Sequence, residues 1–277
     1  MSRTLQLVRL ASNLPRDLWQ QRDLLRQFTR REIEGRYKGS HLGLLWSFLT
    51  PLVMLGVYTF VFGVVFQARW PHARGGESLA EFALAMFAGQ LAFQTFAEPV
   101  GRAAGLITGV PNFVKKVVFP LQILPMAAVG AGLYHVAVGM LIALGASWFI
   151  YGTIPWTVLL LPLAILPIAL LGLGITWFVA SLGVYLRDVG YLIGVILQVL
   201  NFATPIFYPI TAIPEAYRGW MHLNPLTAQV DLVRGVLIVG EVGDPITWAV
   251  TYILSLAVAF LGYLWFMITR KGFADVL

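Results

Sequence analysis

The chain has 277 residues, of which 58% are hydrophobic and only 12% charged. A soluble domain carries about a quarter charged residues, so this composition excludes a soluble globular protein and implies an integral membrane protein, long enough for about six spans of roughly 20 residues. There is no cysteine, which excludes disulfides and cysteine-ligated metals, and the net charge of +6 fits basic loops on one membrane face better than a nucleic-acid partner.

Residues 1–41 hold nine Arg and Lys and four Asp and Glu, with no apolar core, so they are not expected to be a signal peptide. The pattern over 14–33 predicts an amphipathic helix, with Asn13 as cap and Pro15 in the first turn. Leu14, Leu18, Leu25 and Phe28 fall on one stripe, as in a helix lying in the membrane interface; the alternative is a helix packed on a partner. The stretch RREIEGRYKGSHLGLLW (30–46) then passes abruptly into apolar sequence. Gly35 and Gly39 let the chain turn from lying on the membrane to crossing it, and Trp46 suits headgroup depth.

Uncharged intervals locate the spans, because a charge at the centre of a spanning helix costs about 2.5–3.5 kcal/mol. Residues 39–68 contain span one (43–66), and residues 82–97 contain a short span two. The uncharged run 117–186 is broken by YGTIPW (151–156) into spans three (121–150) and four (156–185). Span five falls in 189–214 and span six in 245–269. With both termini on the cytoplasmic side, the inner segments hold fifteen Arg and Lys and the outer ones four, the asymmetry of the positive-inside rule.

Two connections stand apart. EPVGRAAGLITGVPNFVKKVVF (98–119) is read either as a short helix along the membrane that offers a docking knob to a cytoplasmic partner, or as a plain loop anchored by Lys115 and Lys116. Residues 210–244 are too apolar for a free loop. Pro214 and Pro225 can each open a short helix, the pair either dipping back into the membrane or lying on its surface.

None of Lys38, Lys115, Lys116 and Lys271 closes a G-x-x-x-x-G-K-[ST] motif, and neither H-E-x-x-H nor G-x-S-x-G occurs. No acidic residue lies at the centre of a span, which argues against proton- or sodium-coupled transport. His135 is intramembrane, as a proton relay or as a histidine hydrogen-bonded inside the bundle. Gln90, Gln94, Gln198 and Asn201 are expected to point into the bundle. Aromatic residues serve as lipid-facing bulk and interfacial belts, or in part line a conduit on which the C–H faces of sugar rings can slide. The conduit candidates are Tyr58, Phe62, Phe66, Phe87, Phe93, Phe202, Phe207 and Tyr208.

GRYKGSHLGLLWSFLTP (35–51) resembles the entry to span one of the ABC-2 type permeases that export polysaccharides. NFVKKVVFPLQILP (112–125), YLRDVGYLIGVILQVLNFATPIFYPI (185–210) and HLNPLTAQVDLVRGVLIVG (222–240) follow in the same order. One departure is Leu121-Gln122, where a charge is expected in many relatives. The resemblance implies an all-α fold over 1–277: a cytoplasmic segment 1–41 with an interface helix, a six-span bundle over 42–269 with re-entrant outer helices before the last span, and a cytoplasmic tail 270–277. It implies a half-transporter of the cytoplasmic (inner) membrane that pairs with a second copy and with two copies of a separate ATPase. ATP and magnesium bind that ATPase, and this chain needs no cofactor, no metal and no catalytic residue.

The implied cargo is a lipid-linked glycan such as an O-antigen; the alternative is a small hydrophobic or lipid substrate. Residues 98–116 become the segment received by the ATPase, with Arg102, Leu106, Asn112, Phe113 and Lys115 as contacts, and Arg187-Asp188 a second, smaller one. Arg36, Tyr37 and Lys38 become the substrate entry. There Arg36 and Lys38 either attract a pyrophosphate-bearing head or anchor the chain to anionic membrane lipids, at about 1 kcal/mol each.

Overall fold

The computed structural model describes residues 20–67, 78–115 and 119–277. The expectations for Asn13, Leu14, Pro15, Leu18 and Lys116 lie outside these residues. Among the described residues the secondary structure is helical, without strands.

Helix α1 (Arg22–Tyr37) precedes a turn and α2 (Trp46–Tyr58), which continues as a π-helical segment, Thr59–Val65. The long helix α3 (Leu79–Arg102) is followed by two short ones, α4 (Gly105–Thr108) and α5 (Pro111–Lys115). Then come α6 (Ile123–Tyr151), α7 (Leu161–Tyr185) behind a 3₁₀ turn at Trp156–Leu160, and α8 (Val189–Ala203). The short pair α9 (Glu215–Leu223) and α10 (Pro225–Arg234) leads to α11 (Pro245–Thr269) and a terminal turn, α12 (Phe273–Val276).

Among the described residues, five stretches are long and apolar enough to cross a membrane: Gly43–Val65, Leu79–Arg102, Ile123–Tyr151, Trp156–Tyr185 and Pro245–Val276. Their boundaries carry local causes. Gly152 ends α6 in the left-handed region, at φ +69°. Asp244 caps α11, with Pro245 in its first turn.

Span two is longer than the uncharged interval 82–97, because the charges at both of its ends have partners, within the helix at one end and on neighbouring helices at the other. Ser78 and Glu81 form a reciprocal capping box, each side chain accepting from the other's backbone N–H at 3.2 Å. Near the other end Glu98 pairs with Arg36 and Arg102 with Glu32. The apolar helix of the fifth interval stops at Ala203, before Thr204-Pro205, so it has 15 residues where a span over 189–214 was expected. Pro205 lacks the N–H that a continuing helix requires.

Helix α3 is the axis of the bundle and packs on α6, α7 and α10. Of its most apolar stretch 83% is buried, against 6% for Gly43–Val65. At one end of the bundle, Ala103, Ile107, Trp177, Tyr263, Phe266 and Phe273 form a second core. This is the basic end, where α1, α4 and α5 lie. Helices α7 and α11 approach backbone to backbone: a Cβ on Gly262 would collide with the Gly174 backbone. Within a membrane, packing through such small residues replaces the hydrophobic driving force between helices.

Helix α1 packs on α6, with Thr29 seated over Gly130. Leu25 and Phe28, from the predicted stripe, are therefore half-buried against the protein itself. Gly35 continues α1, and the chain turns beyond it, at Gly39, where φ is +86°. The two helices of the outer pair differ in burial. Helix α9 buries no residue and exposes Tyr217 and Trp220, whereas α10 buries most of its length. Gln198 departs from expectation: it lies on the exposed face of α8, since that helix turns a broad apolar face outward.

Candidate functional site

At the basic end, the last turns of α3 meet α1 and α6 around one carboxylate. Arg36 Nη1 and His135 Nδ1 both donate to Glu98 Oε1, the latter at 2.8 Å. One turn on, Arg102 Nη2 donates to Glu32 Oε2 at 2.5 Å. Glu98 and Arg102 follow each other by four residues on α3, and Glu32 and Arg36 by four on α1, so the two pairs zip one helix face to the other. His135 is thus one arm of a three-residue cluster. The Tyr37 ring stands edge-on to His135, centroids 5.8 Å apart. Burial pushes the Tyr37 hydroxyl above its ordinary pKa, so it remains a neutral donor at physiological pH.

This cluster separates two clefts. The outer one, of about 1230 Å³, is lined by Arg30, Arg31, Arg36, Lys38 and Arg102, with Glu32, Glu34 and Glu98. The inner one, of about 230 Å³, is lined by Tyr37, Trp46, Tyr58, Phe87, Gln90 and His135. Arg36, Gln94 and Glu98 belong to both walls. Arg36, Tyr37 and Lys38 are therefore brought to the mouth of one cavity system. Removing the Glu98 charge leaves Arg36 and His135 with at best a neutral amide oxygen as their shared acceptor. Charge-assisted bonds contribute about 1.5–3 kcal/mol, and Arg36, being half exposed, is discounted below that range for solvent screening. Glu98→Gln is expected to loosen α1 by about 1 kcal/mol, seen as several-fold faster trypsin cleavage at Arg30 and Arg31.

Beyond Tyr58 the rings gather into a group. The Phe207 ring stacks on Phe62 at 5.0 Å and lies edge-on to Tyr58 at 5.6 Å. Phe202 is 5.6 Å from Phe207, and Phe66 is 5.8 Å from Phe62. Tyr208 closes the group by donating from its hydroxyl to the Phe202 carbonyl at 2.5 Å. Six of the eight conduit candidates thus form one cluster between the π segment after α2 and the exit of α8, and Phe87 lines the inner cleft. Phe93 lies outside the ring group; like Phe87 and Phe207 it is buried in the main core.

The remaining candidates form a surface at the basic end. Ala103 and Ile107 are buried in the second core, which leaves Leu106 half-buried and Asn112 and Lys115 exposed. Phe113 stacks on Phe119 at 4.9 Å and meets Phe28 of α1 edge-on at 5.8 Å. Arg187 and Asp188, both exposed, occupy the turn between α7 and α8. Gly183 and Gly190, on either side of that turn, pack on Ala104, so the two predicted contact segments adjoin. Gln122, at the departure from the expected charge, is buried: its backbone carbonyl accepts from Trp177 Nε1, and its side chain from Arg270.

A helical bundle with five apolar stretches of membrane-crossing length among the described residues is the architecture of a multi-pass membrane protein. Residues 23–238 match the ABC-2 type transporter family, and the chain belongs to it. Among curated proteins it is 34% identical over 220 residues to the O-antigen export system permease protein RfbA of Myxococcus xanthus, covering 78% of this chain and 80% of that protein. It is 25% identical over 257 residues to the protein of the same name from Klebsiella pneumoniae, covering 92% and 95%. It is also 25% identical over 238 residues to the polysialic acid transport protein KpsM of Escherichia coli, covering 84% and 88%.

Proposed function

We propose that this chain is the permease subunit of an ATP-driven exporter that carries a lipid-linked glycan from the cytoplasmic side across the inner membrane. The observation that carries this reading is the sequence of surfaces described above. Arginine and lysine side chains at the mouth suit a phosphate-bearing head, the guanidinium as a bidentate donor and the ammonium as a point charge. Glu98 holds Arg36 until such an anion competes for it. Past the cluster, aromatic rings offer sugar faces broad, weakly binding contact. The names of the relatives support a polysaccharide cargo.

In this reading the protein works as a homodimer. Gly43–Val65 and α8 leave apolar faces beside the path, and a second copy covers them. Helix α8 with its buried exit serves as the sixth span, α1 lies at the membrane interface beside the substrate entry, and α10 is the re-entrant arm of the outer pair. Both termini are cytoplasmic. The energy comes from two copies of a separate ATPase, which hold ATP and magnesium and dock on α4, α5 and the Arg187-Asp188 turn. Because Ile107 rather than Leu106 anchors α4, Leu106→Asp is expected to leave the bundle folded, weaken co-purification of the ATPase at least about tenfold (about 1.4 kcal/mol or more) and abolish export.

Deleting the gene tests the function as a whole. The expected result is loss of surface glycan with accumulation of lipid-linked glycan inside the cell. Normal surface glycan without accumulation would overturn the proposal.

A further inference from the structure

The buried guanidinium of Arg234 ties three separate parts of the chain together. Its Nε donates to the Ala85 carbonyl of α3 at 2.9 Å, Nη1 to the Pro205 carbonyl at 2.6 Å and Nη2 to the Ile206 carbonyl at 2.8 Å. Nη1 also stands 3.4 Å from Asp231 Oδ1 on its own helix. Pro205 and Ile206 belong to the buried, non-helical turn that follows α8. Irregular backbone of this kind needs donors from elsewhere in the protein, and a guanidinium presents several in a rigid fork. Gly89 provides the space: a Cβ there would collide with the Arg234 side chain. A second tie comes from Asn224, the cap of α10, whose side chain donates to Thr204 Oγ1 at 2.9 Å.

The residue after Ile206 is Phe207, the hub of the aromatic cluster. We propose that Arg234 is a positioning residue that clamps the 204–207 turn to α3 and α10, and so sets where the Phe207 ring stands in the path. Displacement of α10 from α3 then carries the turn with it, which links the outer helix pair mechanically to the aromatic path. The functional part of this inference rests on the conduit reading above; the clamp itself does not. Lysine cannot replace the arginine, since a single ammonium lacks the planar fork that reaches Nε and Nη partners at once.

The absence of native cysteine allows a direct test with single introduced thiols in the complete transporter, in membranes and without substrate. Ile206→Cys reports on the turn, and Ser255→Cys reports on the contact between α10 and α11, where Gln229 bonds Ser255 at 3.0 Å. Both sites are fully buried. In an Arg234→Lys background, and separately in Gly89→Ala, labelling by a membrane-impermeant maleimide is expected to rise at least tenfold at 206 and to stay within twofold at 255. An equal rise at both sites would reduce Arg234 to general structural support and overturn the proposal, as would no rise at 206. Because this readout needs no glycan, it stands or falls independently of the export reading.

Discussion

Replacing Arg36 and Lys38 together with glutamine is expected to lower glycan export at least about tenfold while the assembled protein in the membrane changes less than about twofold. The reasoning begins with the two environments that these side chains can have. As lipid anchors each contributes about 1 kcal/mol through the anionic surface potential, and their loss reduces insertion and export alike. As ligands of a phosphate-bearing head they make charge-assisted bonds of about 1.5–3 kcal/mol, where about 1.4 kcal/mol is a tenfold change in equilibrium. The structure places both on the wall of the large basic cleft, and Arg36 also on the wall of the inner one. Export in cells, normalised to membrane abundance, is the measurement; parallel loss of both quantities would leave only anchoring.

Gly262→Leu is expected to remove most of the stably assembled bundle. The glycine of α11 faces Gly174 of α7, and an added Cβ meets backbone that cannot rotate away. Overpacking a tight interior typically costs about 1–3 kcal/mol, and here the obstruction is main chain on both sides, so the upper end applies. About 3 kcal/mol corresponds to a more than hundredfold shift in a two-state equilibrium. The loss should appear as a lower melting temperature of the purified protein and as degradation in cells. A normal melting temperature would mean that α7 and α11 can slide apart without cost.

Much of the bundle was legible because the membrane imposes a simple rule on charge. Spans three, four and six, expected at 121–150, 156–185 and 245–269, correspond to Ile123–Tyr151, Trp156–Tyr185 and the helix Pro245–Thr269. The same rule misjudged span two, because it treats every charge as a boundary. Ser78-Leu79-Ala80-Glu81 is a readable capping box and marks the true start of α3. The pairing of Glu98 with Arg36 and His135, by contrast, joins residues 62 and 37 positions away. No local pattern announces it; the packing of α1 on α6 creates it. By position Arg234 is one of the four basic residues of the outer segments, whereas its burial depends on Gly89, far away on α3. The adjoining of the 98–116 segment with the Arg187-Asp188 turn likewise arises only in three dimensions, through Ala104.

The central claim is that this path conducts a lipid-linked glycan. Co-reconstitution of the chain with its partner ATPase in proteoliposomes tests it most directly. Lipid-pyrophosphate-linked oligosaccharide is placed in the ATPase-facing leaflet, and its arrival on the other side is followed by lectin capture. ATP-dependent capture that is lost in the Arg36→Gln, Lys38→Gln double variant is the predicted result. ATP hydrolysis stimulated by small lipophilic compounds, with no glycan reaching the far side, would contradict it.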